Sequence, residues 1–469
     1  MPAISRRTLV QVTCILPLVY RPAFAQQGGT VQLRQTQVDA PFAMPPVTSP
    51  DFAACPFFPI TDHGASLQDQ GRTQAAIAAA IVQAHKAGGG TVVVPEGIWP
   101  TGPVRLLSNV NLHLAKGAVL LFSDDPADYL PPVKTSWEGI ECFNYSPLVY
   151  AFEAENVAIS GAGILRAKLD KWSEWYARPP AHMQALIDLY TMARTGVPVE
   201  QRQMARGDNN LRPHFIQFNR CKRVLVEGVS IEGSPFWTIH PLLCRDVTIR
   251  KISVRAHGHN NDGVDPEMSE NVLIEDCTFD QGDDAISVKS GRDMDAWRLA
   301  APCRNVVVRN CTILNGHQLL AVGSELSAGI ENVWVDNCHF TGDGKGADGW
   351  AVPIANLLFV KTNERRGGFV RNIHMSRVTA TAIEGSVVGV ETDVLYQWRT
   401  LLPTYERRLT PIEGLHVSDV TVHKASYICR ILGEAEQPVS DVRLTRVQVA
   451  NVSREPTLLK NVTGYSAEG

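Results

Sequence analysis

The chain has 469 residues and 44% hydrophobic content, which is enough for a large core in one elongated domain or in several compact ones. Its formal net charge is −4, so no basic excess points to nucleic acid or to an anionic membrane surface as a partner. An anionic substrate stays possible, provided that its cationic contacts are local.

Residues 1–25 are typical of a twin-arginine signal peptide. Arg6 and Arg7 precede an apolar run, and Ala23–Ala25 forms an A-x-A cleavage signal. The run is far shorter than the ~20 residues that a membrane span needs, which favours export over an anchor. We expect a periplasmic or extracellular protein with no membrane contact after the signal is removed.

The ten cysteines do not indicate a disulfide framework. Removal of the signal takes Cys14 and leaves an odd number, and a twin-arginine route carries chains already folded in the reducing cytoplasm. Their spacings also lack the paired C-x-x-C pattern of zinc sites. We expect no metal and no cofactor.

After an N-terminal extension at 26–57, residues 71–90 predict a helix that Gly88–Gly90 ends. One helical face collects Ala76, Ile77, Ala80, Ile81 and Ala84. We expect this helix to cap an exposed edge of the strands that follow.

Short strands with period-two alternation repeat along the rest of the chain. The segments "ENVLIEDCTF" (270–279), "RNVVVRNCTI" (304–313) and "ENVWVDNCHF" (331–340) share one pattern, and the copies are mostly 23–34 residues apart. A β-propeller needs four strands per repeat, whereas these repeats hold two or three. The pattern therefore predicts an all-β protein, a right-handed parallel β-helix.

Two sets of residues recur in the same phase of this repeat. They are Cys277, Cys311 and Cys338, and Asn271, Asn305 and Asn332. We expect the cysteines to stack as a small apolar ladder inside the coil and the asparagines to stack at a turn. Both sets are interpreted as structural and not as chemical groups.

We expect one β-helix domain at 58–460 and a C-terminal tail at 461–469. The pattern is interrupted at 166–210 and at 384–412, and we expect both interruptions to be insertions on one side of the coil. They contain the cluster Trp172, Trp175 and Tyr176 and the Tyr396–Trp398 pair. These residues either pack the insertions down or stack on sugars.

Three aspartates follow the repeat. Asp262 and Asp283 are 21 residues apart, about one coil, and Asp284 follows. Adjacent coils lie about 4.8 Å apart, and Gly282 permits a bend that turns both neighbouring carboxyls outward. Carboxyls this close predict one raised pKa, and hence a general acid beside a general base.

A separation of roughly 6.5–9.5 Å between acid and base leaves room for a water and predicts an inverting glycosidase. The alternatives from spacing alone are a calcium site and a solvated turn.

Five stretches carry further motifs: "SPFWTIHPLLC" (234–244), "NNDGVDP" (260–266), "QGDDAISVKSG" (281–291), "NGHQLLAVGSE" (315–325) and "FVKT" (359–362). In this order they resemble glycoside hydrolase family 28, the polygalacturonase family of right-handed β-helix enzymes. "WEGIECFNYSPLVYA" (137–151) resembles its bacterial, often exo-acting branch.

The resemblance implies a role for each matched residue. Asp283 is implied to be the general acid, and Asp262 with Asp284 to activate the attacking water. His317 is implied to support the acid and contact the sugar.

For the substrate, the resemblance implies that Lys361 binds a carboxylate or hydroxyl and that Asn260 helps to hold the site. The arginine of the family's R-I-K motif is replaced here by Phe359, which cannot form a bidentate pair with a uronate. Arg365 or Arg366 is a candidate replacement. Alternatively, Phe359 packs against a neutral sugar such as rhamnose.

We therefore expect a metal-independent, monomeric, inverting glycoside hydrolase that acts on α-linked galacturonic acid in pectic oligo- or polysaccharides, from a chain end. The alternatives are a rhamnogalacturonan hydrolase of the same family, a calcium-dependent pectic lyase, and a non-catalytic glycan-binding solenoid.

Overall fold

The computed structural model describes residues 29–341, 354–396 and 398–469. The predicted signal peptide, 1–25, lies outside these residues and stays a prediction. In the part of the chain described, no helix is long and apolar enough to cross a membrane.

The described residues form a parallel β-helix with few helices. The strands before the first interruption are β1 (Gln32–Thr36), β2 (Val47–Asp51), β3 (Phe57–Pro59), β4 (Gly90–Val94), β5 (Gly97–Thr101), β6 (Val104–Leu106), β7 (Val110–Leu114), β8 (Ala118–Phe122), β9 (Val133–Trp137), β10 (Ile140–Asn144), β11 (Val149–Phe152), β12 (Glu155–Gly161) and β13 (Ile164–Ala167). The strands of the central coils are β14 (Ile216–Asn219), β15 (Lys222–Glu227), β16 (Ser230–Glu232), β17 (Ile239–Leu242), β18 (Arg245–Arg250), β19 (Ser253–Ala256), β20 (Glu270–Glu275), β21 (Thr278–Gln281), β22 (Ile286–Val288), β23 (Cys303–Arg309), β24 (Thr312–Asn315), β25 (Gln318–Gly323), β26 (Ile330–Asp336) and β27 (His339–Phe340). The last coils hold β28 (Asn356–Lys361), β29 (Val370–Ala382), β30 (Ser386–Glu391), β31 (Ile412–Ala425), β32 (Tyr427–Leu432), β33 (Val439–Val452), β34 (Thr457–Lys460) and β35 (Val462–Glu468). The α-helices are α1 (Gln70–Lys86), α2 (Asp170–Glu174), α3 (Pro180–Arg194), α4 (Asp293–Leu299) and α5 (Trp398–Leu401).

Equivalent strands of successive coils pair in parallel. Val272 of β20 lies opposite Val306 of β23, which in turn lies opposite Val333 of β26. All three side chains are fully buried in the continuous core. The predicted β-helix is therefore confirmed, and the repeat phase read from the sequence is its actual register.

An asparagine ladder follows one turn of the coils. The amide Nδ2 of Asn305 donates to Oδ1 of Asn271 at 3.0 Å, and Asn332 donates to Asn305 at 3.0 Å. Asn372 extends the ladder by one more coil. Each of these asparagines has a φ between 56° and 59°, a left-handed conformation that Asn tolerates better than most residues.

The cysteines of the same repeat lie inside the coil. Cys277, Cys311 and Cys338 are buried, and the thiol of Cys311 contacts those of its two neighbours. All nine cysteines in the described residues are free and buried. The predicted apolar cysteine ladder is therefore confirmed.

The predicted capping helix is α1. Asp69 caps its start by accepting a hydrogen bond from the Arg72 amide at 3.0 Å. Its buried face contains the predicted Ala76, Ile77, Ala80, Ile81 and Ala84. This face packs into the same core as the first strands of the coil.

Three predicted boundaries differ from the structure. Strand β35 pairs with β33, so the coil continues through the segment predicted as a 461–469 tail. Strand β30 lies inside the predicted 384–412 insertion, and Gly389 in its middle weakened the strand signal there. The interruptions between strands are consequently 168–215 and 392–411.

Candidate active site

A pocket of about 280 Å³ collects seven of the nine predicted site residues. Its floor is formed by the coils around β22, β25 and β28. Arg178 of the first interruption and Tyr396 of the second also line it. Both insertions therefore contribute to the wall of one pocket, as expected for insertions on the same side of the coil.

A larger groove of about 720 Å³ lies between the N-terminal extension and the sheet. Its arginines are already paired, Arg309 with Glu275 and Arg377 with Asp336. The smaller pocket is therefore the candidate active site, because the titratable groups with strongly shifted pKa values converge there.

The aspartates lie on adjacent coils. The amide of Gly263 donates to the carbonyl of Asp284 at 3.0 Å, and Val264 bridges to Ile286. Asp262 is thus in register with Asp284. A Cβ at Gly282 would lie 2.5 Å from the backbone nitrogen of Gly258, so the bend before Asp283 admits no side chain.

Asp283 and His317 form a coupled pair. Nδ1 of His317 lies 3.0 Å from Oδ1 of Asp283, and this hydrogen bond raises the pKa of His317 to about 9. Burial tends to raise the pKa of Asp283, but the hydrogen bond and charge of His317, with Lys361, outweigh it and hold that pKa below its usual range. Both shifts favour the imidazole as the holder of the proton shared by this pair.

Asp262 and the adjacent Asp265 are carboxyls whose pKa values are raised, in both cases first by burial. Burial, and then the charge of Asp283, raises the pKa of Asp262 to about 8. Its Oδ1 is buried without a hydrogen-bond partner among the described residues, and Lys289 Nζ lies 3.7 Å from Oδ2. One of the aspartates thus has the raised pKa that the spacing predicted, but it is not the one implied to be the general acid.

Lys361 neutralises Asp284. Its Nζ donates to Oδ2 of Asp284 at 2.7 Å, and the ammonium lines the pocket. Burial tends to lower the pKa of Lys361, but the charge of Asp284 outweighs it and raises that pKa well above its usual range. This cation therefore stays charged beside the sugar.

Charged residues behind the aspartates pair with one another. Lys289 Nζ lies 3.5 Å from both Asp265 Oδ1 and Glu325 Oε2. Arg292 donates to Glu325 at 2.6 Å and to Glu138 at 2.9 Å. Lys289 and Arg292 therefore act as ion partners that hold the floor of the pocket.

Asn260 lines the pocket beside Asp262. Its φ is 60°, and its Oδ1 accepts hydrogen bonds from Nη2 of Arg178 at 3.2 Å and Nη2 of Arg212 at 3.0 Å. Asn261 instead is buried and donates to the carbonyl of Ser234 at 2.9 Å. The first asparagine therefore faces the substrate space, while the second fixes the turn.

Of the three residues considered in connection with the missing arginine, two lie outside the pocket. Arg365 is buried away from the pocket, where it donates to the Leu402 carbonyl at 2.6 Å, so its predicted substrate contact is wrong. Phe359 is half-buried on β28 between Ala321 and Gly389, and it does not line the pocket.

The third, Arg366, does line the pocket, but its Nη1 pairs with Asp293 at 2.7 Å. Its charge is therefore already balanced by the protein.

The aromatic residues of the insertions divide between the two predicted uses. Trp172 and Trp175 are buried and pack against Tyr145, which fixes the first insertion to the coil. Trp398 is also buried. Tyr396, in contrast, is 62% exposed and lines the pocket, where its ring can contact a sugar.

Asp283, Asp284 and His317 offer ligand atoms within 4.8 Å of one another, a grouping that can hold a cation. Lys361 and protonated His317 already place positive charge on these carboxylates. Independence from metal therefore stays our prediction, with a chelator test as its check.

Sequence reasoning missed Arg178. Arg178 lies in a segment that interrupts the repeat, so the repeat does not predict which strand or pocket it faces. Nothing else in the sequence distinguishes it from a solvated charge.

The comparisons agree with this geometry. The family model described as "Glycosyl hydrolases family 28" matches residues 200–467. The structure of a hyperthermoactive exopolygalacturonase from Thermotoga maritima is 35% identical, with a TM-score of 0.80 over 90% of this chain and 94% of that one. A family 28 exopolygalacturonase from Yersinia enterocolitica has a TM-score of 0.67 at 18% identity, over 89% of this chain and 79% of that one. A "Probable polygalacturonase" of Vitis vinifera is 25% identical over 81% of this chain and 71% of its own length.

Proposed function

The chain belongs to glycosyl hydrolase family 28, and from this premise we propose that it hydrolyses α-linked galacturonic acid in pectic glycans, with inversion, from a chain end. The observation that carries the proposal is the convergence of Asp262, Asp283 and Asp284 with His317 and Lys361 in one walled pocket. The names of the related enzymes support the substrate class.

Asp283 is the proposed general acid. It donates a proton to the glycosidic oxygen as the bond to the anomeric carbon breaks. Asp262 and Asp284, on the adjacent coil positions, take a proton from the water that attacks that carbon from the opposite face. One water is consumed, and the proton lost by Asp283 is balanced by the one that the base side gains.

The pKa shifts of Asp262 and Asp283 agree with the protonation state that follows this step. Asp262 then holds a proton and Asp283 is ionised, as the directions of their pKa shifts require. Movement of one proton from Asp262 to Asp283 restores the acid and frees the base. The charge of Asp283 is itself a cause of the raised pKa of Asp262, so protonation of one favours ionisation of the other.

The walls of the pocket support action on a chain end. A polymer that is cut internally needs a groove open at both ends. Here Arg178 and Tyr396, from two separate insertions, line one pocket of about 280 Å³. A terminal sugar fits such a pocket better than the middle of a chain.

Defined homogalacturonan and rhamnogalacturonan oligosaccharides, digested in parallel with the products sized, test this function. We expect mono- or disaccharide from homogalacturonan early in the digest, while the viscosity of the polymer falls slowly. A rapid loss of viscosity with mid-sized oligomers would exclude action on a chain end. Preferential cleavage of rhamnogalacturonan would support the alternative in which Phe359 packs on rhamnose.

The same digest separates the other classes. Unsaturated, ultraviolet-absorbing products that disappear with chelator would indicate a lyase. Oligosaccharide binding without any turnover would indicate a non-catalytic solenoid. Export, and the action of 58–468 as one catalytic domain, are part of the proposal.

A further inference from the structure

The positive charges around the pocket are nearly all balanced by the protein itself. The cationic side chains that line it and have a carboxylate within ion-pair distance are Lys289, Arg292, His317, Lys361 and Arg366. Their partners are side chains of the floor and of α4. A substrate carboxylate therefore has to compete with an existing partner at each of them.

Arg178 differs from these residues. Within the described ranges, no carboxylate lies at ion-pair distance from it, and its recorded hydrogen bond goes to the neutral Oδ1 of Asn260 at 3.2 Å. Its Nε is buried and has no partner there. An anion can therefore pair with this guanidinium without displacing a carboxylate of the protein.

A second guanidinium adds positive charge beside Arg178. Arg212 is fully buried and donates to the same Oδ1 of Asn260 at 3.0 Å, so two cations lie on one amide oxygen. Arg212 is fixed by the carbonyls of Pro235 and His259 at 2.7 and 2.6 Å. An anion beside Arg178 would relieve the repulsion between the two.

The backbone holds Arg178 in this position. It follows a short 3₁₀ turn at Trp175–Ala177 with a φ of 49°, and Pro179 restricts it further. Trp175 is buried, and the hydroxyl of Tyr176 donates to the Ser234 carbonyl at 3.2 Å. The charge is therefore presented by a packed segment, which reduces the ordering cost of binding.

We propose that Arg178 binds the carboxylate of the uronic acid unit held in the pocket; this rests on the proposed function. A guanidinium forms two parallel hydrogen bonds to a carboxylate, whereas Lys361 acts as a single point charge already paired with Asp284. The insertion thereby supplies the carboxylate-binding cation that Phe359 cannot provide. Oδ1 of Asn260 accepts from both arginines and so holds Arg178 beside the pocket.

The test compares Arg178→Gln with Arg206→Gln, which removes the same charge from an exposed position of the same insertion. Substrates are galacturonic acid oligomers in the free-acid and the fully methyl-esterified form. We expect Arg178→Gln to lower kcat/KM on the free acid about 10- to 100-fold, the range for loss of a charged hydrogen bond. The change on the neutral ester should be far smaller, and Arg206→Gln should match the unaltered protein on both.

Equal losses on the acid and the ester would overturn the proposal, because they would indicate a structural role. An unchanged Arg178→Gln enzyme would overturn it too. Arg178→Lys keeps the charge but cannot form two parallel hydrogen bonds. Its kcat/KM on the free acid should lie between those of the unaltered protein and Arg178→Gln, which guards against a folding defect in the glutamine variant.

Binding separates this inference from the proposed function. In Asp283→Asn protein, calorimetry with trigalacturonic acid should show weaker binding and a shallower salt dependence when Arg178→Gln is added. If the unaltered enzyme cleaves no galacturonan, the proposed function fails, while this binding difference still decides whether Arg178 receives a uronate. Equal binding with and without Arg178→Gln would overturn the inference even in an active enzyme.

Discussion

Nδ1 of His317 lies 3.0 Å from Oδ1 of Asp283. In this pair the imidazole holds the proton while the pocket is empty, because the pKa of His317 is raised to about 9 and that of Asp283 is lowered. A sugar that covers the pair removes water from the carboxylate and favours its protonation. In the proposed mechanism, Asp283 then takes up the proton that Asp262 releases, so we expect it to become an acid only when a sugar is bound.

Replacement of Asp283 by Asn should remove nearly all turnover and leave the fold intact, since the amide matches the carboxyl in shape but cannot donate the proton. The expected loss of kcat is about 10²- to 10⁴-fold, the usual value of general acid catalysis. The exposed Asp188→Asn is the matched control. Near-normal turnover by a folded Asp283→Asn protein would refute the acid assignment.

Proton NMR of the first product should show the anomer inverted relative to the substrate. Inversion follows from a water that is activated across the sugar from Asp283, by Asp262 and Asp284. A retained anomer would contradict the role of these two residues as a base and would require a carboxylate nucleophile.

Replacement of Tyr396 by Ala should raise KM by roughly 2- to 10-fold with a smaller change in kcat, as expected for loss of one aromatic contact. Tyr396 is exposed in the pocket wall, whereas Tyr405 is an exposed tyrosine of the same insertion that does not line the pocket. Tyr405→Ala is therefore the control. Equal KM values for the two variants would remove Tyr396 from the sugar-binding surface.

Glu267 should make the protein less stable as the pH rises. Burial, and then the charge of Glu325, raises the pKa of Glu267 from 4.5 to about 8. The folded protein keeps a proton that the unfolded chain releases, so the stabilisation is full below the unfolded pKa and is lost as the pH rises through the folded one. The slope is up to roughly 1.4 kcal/mol per pH unit.

Glu267→Gln should therefore flatten the fall in Tm between pH values of about 5 and 8. The amide resembles the protonated carboxyl and preserves the contact with His240, which the carboxyl oxygen makes at 2.8 Å. The exposed Glu413→Gln should leave the Tm profile unchanged. A Glu267→Gln profile parallel to that of the unaltered protein would show that Glu267 is ionised in the fold.

Phe359→Arg should shift preference towards homogalacturonan. Phe359 lies two residues before Lys361 on the same face of β28, so a guanidinium there extends towards the pocket. Phe359→Leu keeps an apolar side chain and is the control. If Phe359→Arg leaves the ratio of homogalacturonan to rhamnogalacturonan cleavage unchanged, this position does not contribute to the sugar subsite.

The repeat made much of the site predictable from the sequence. Asp262 and Asp284 share a register because equivalent positions of successive coils lie side by side, and the same rule placed the asparagine ladder. The position of Lys361 follows from the same rule, because its strand β28 pairs with β25 of the preceding coil. Residues outside the repeat have no such constraint, which is why Arg365 was assigned to the pocket wrongly and Arg178 was not identified.

The spacing of the aspartates could not predict which of them is protonated. The sequence predicts that one carboxyl is raised, but the choice of Asp262 depends on its burial and on where His317 and Lys289 lie. The end of the coil was misjudged for a different reason. Strand β35 is largely exposed, so its alternation of apolar and polar residues is weak.

The reactivity of the buried thiols can report where the coil unfolds locally. A reagent reaches a cysteine only when the surrounding coil separates, because the side chains have almost no exposed surface. Cys55 lies near the first coil, Cys311 in the middle and Cys429 near the last, so their order of alkylation in mild denaturant reports the direction in which the coils come apart. Peptide mass mapping of a time course would then follow unwinding coil by coil, with no label introduced.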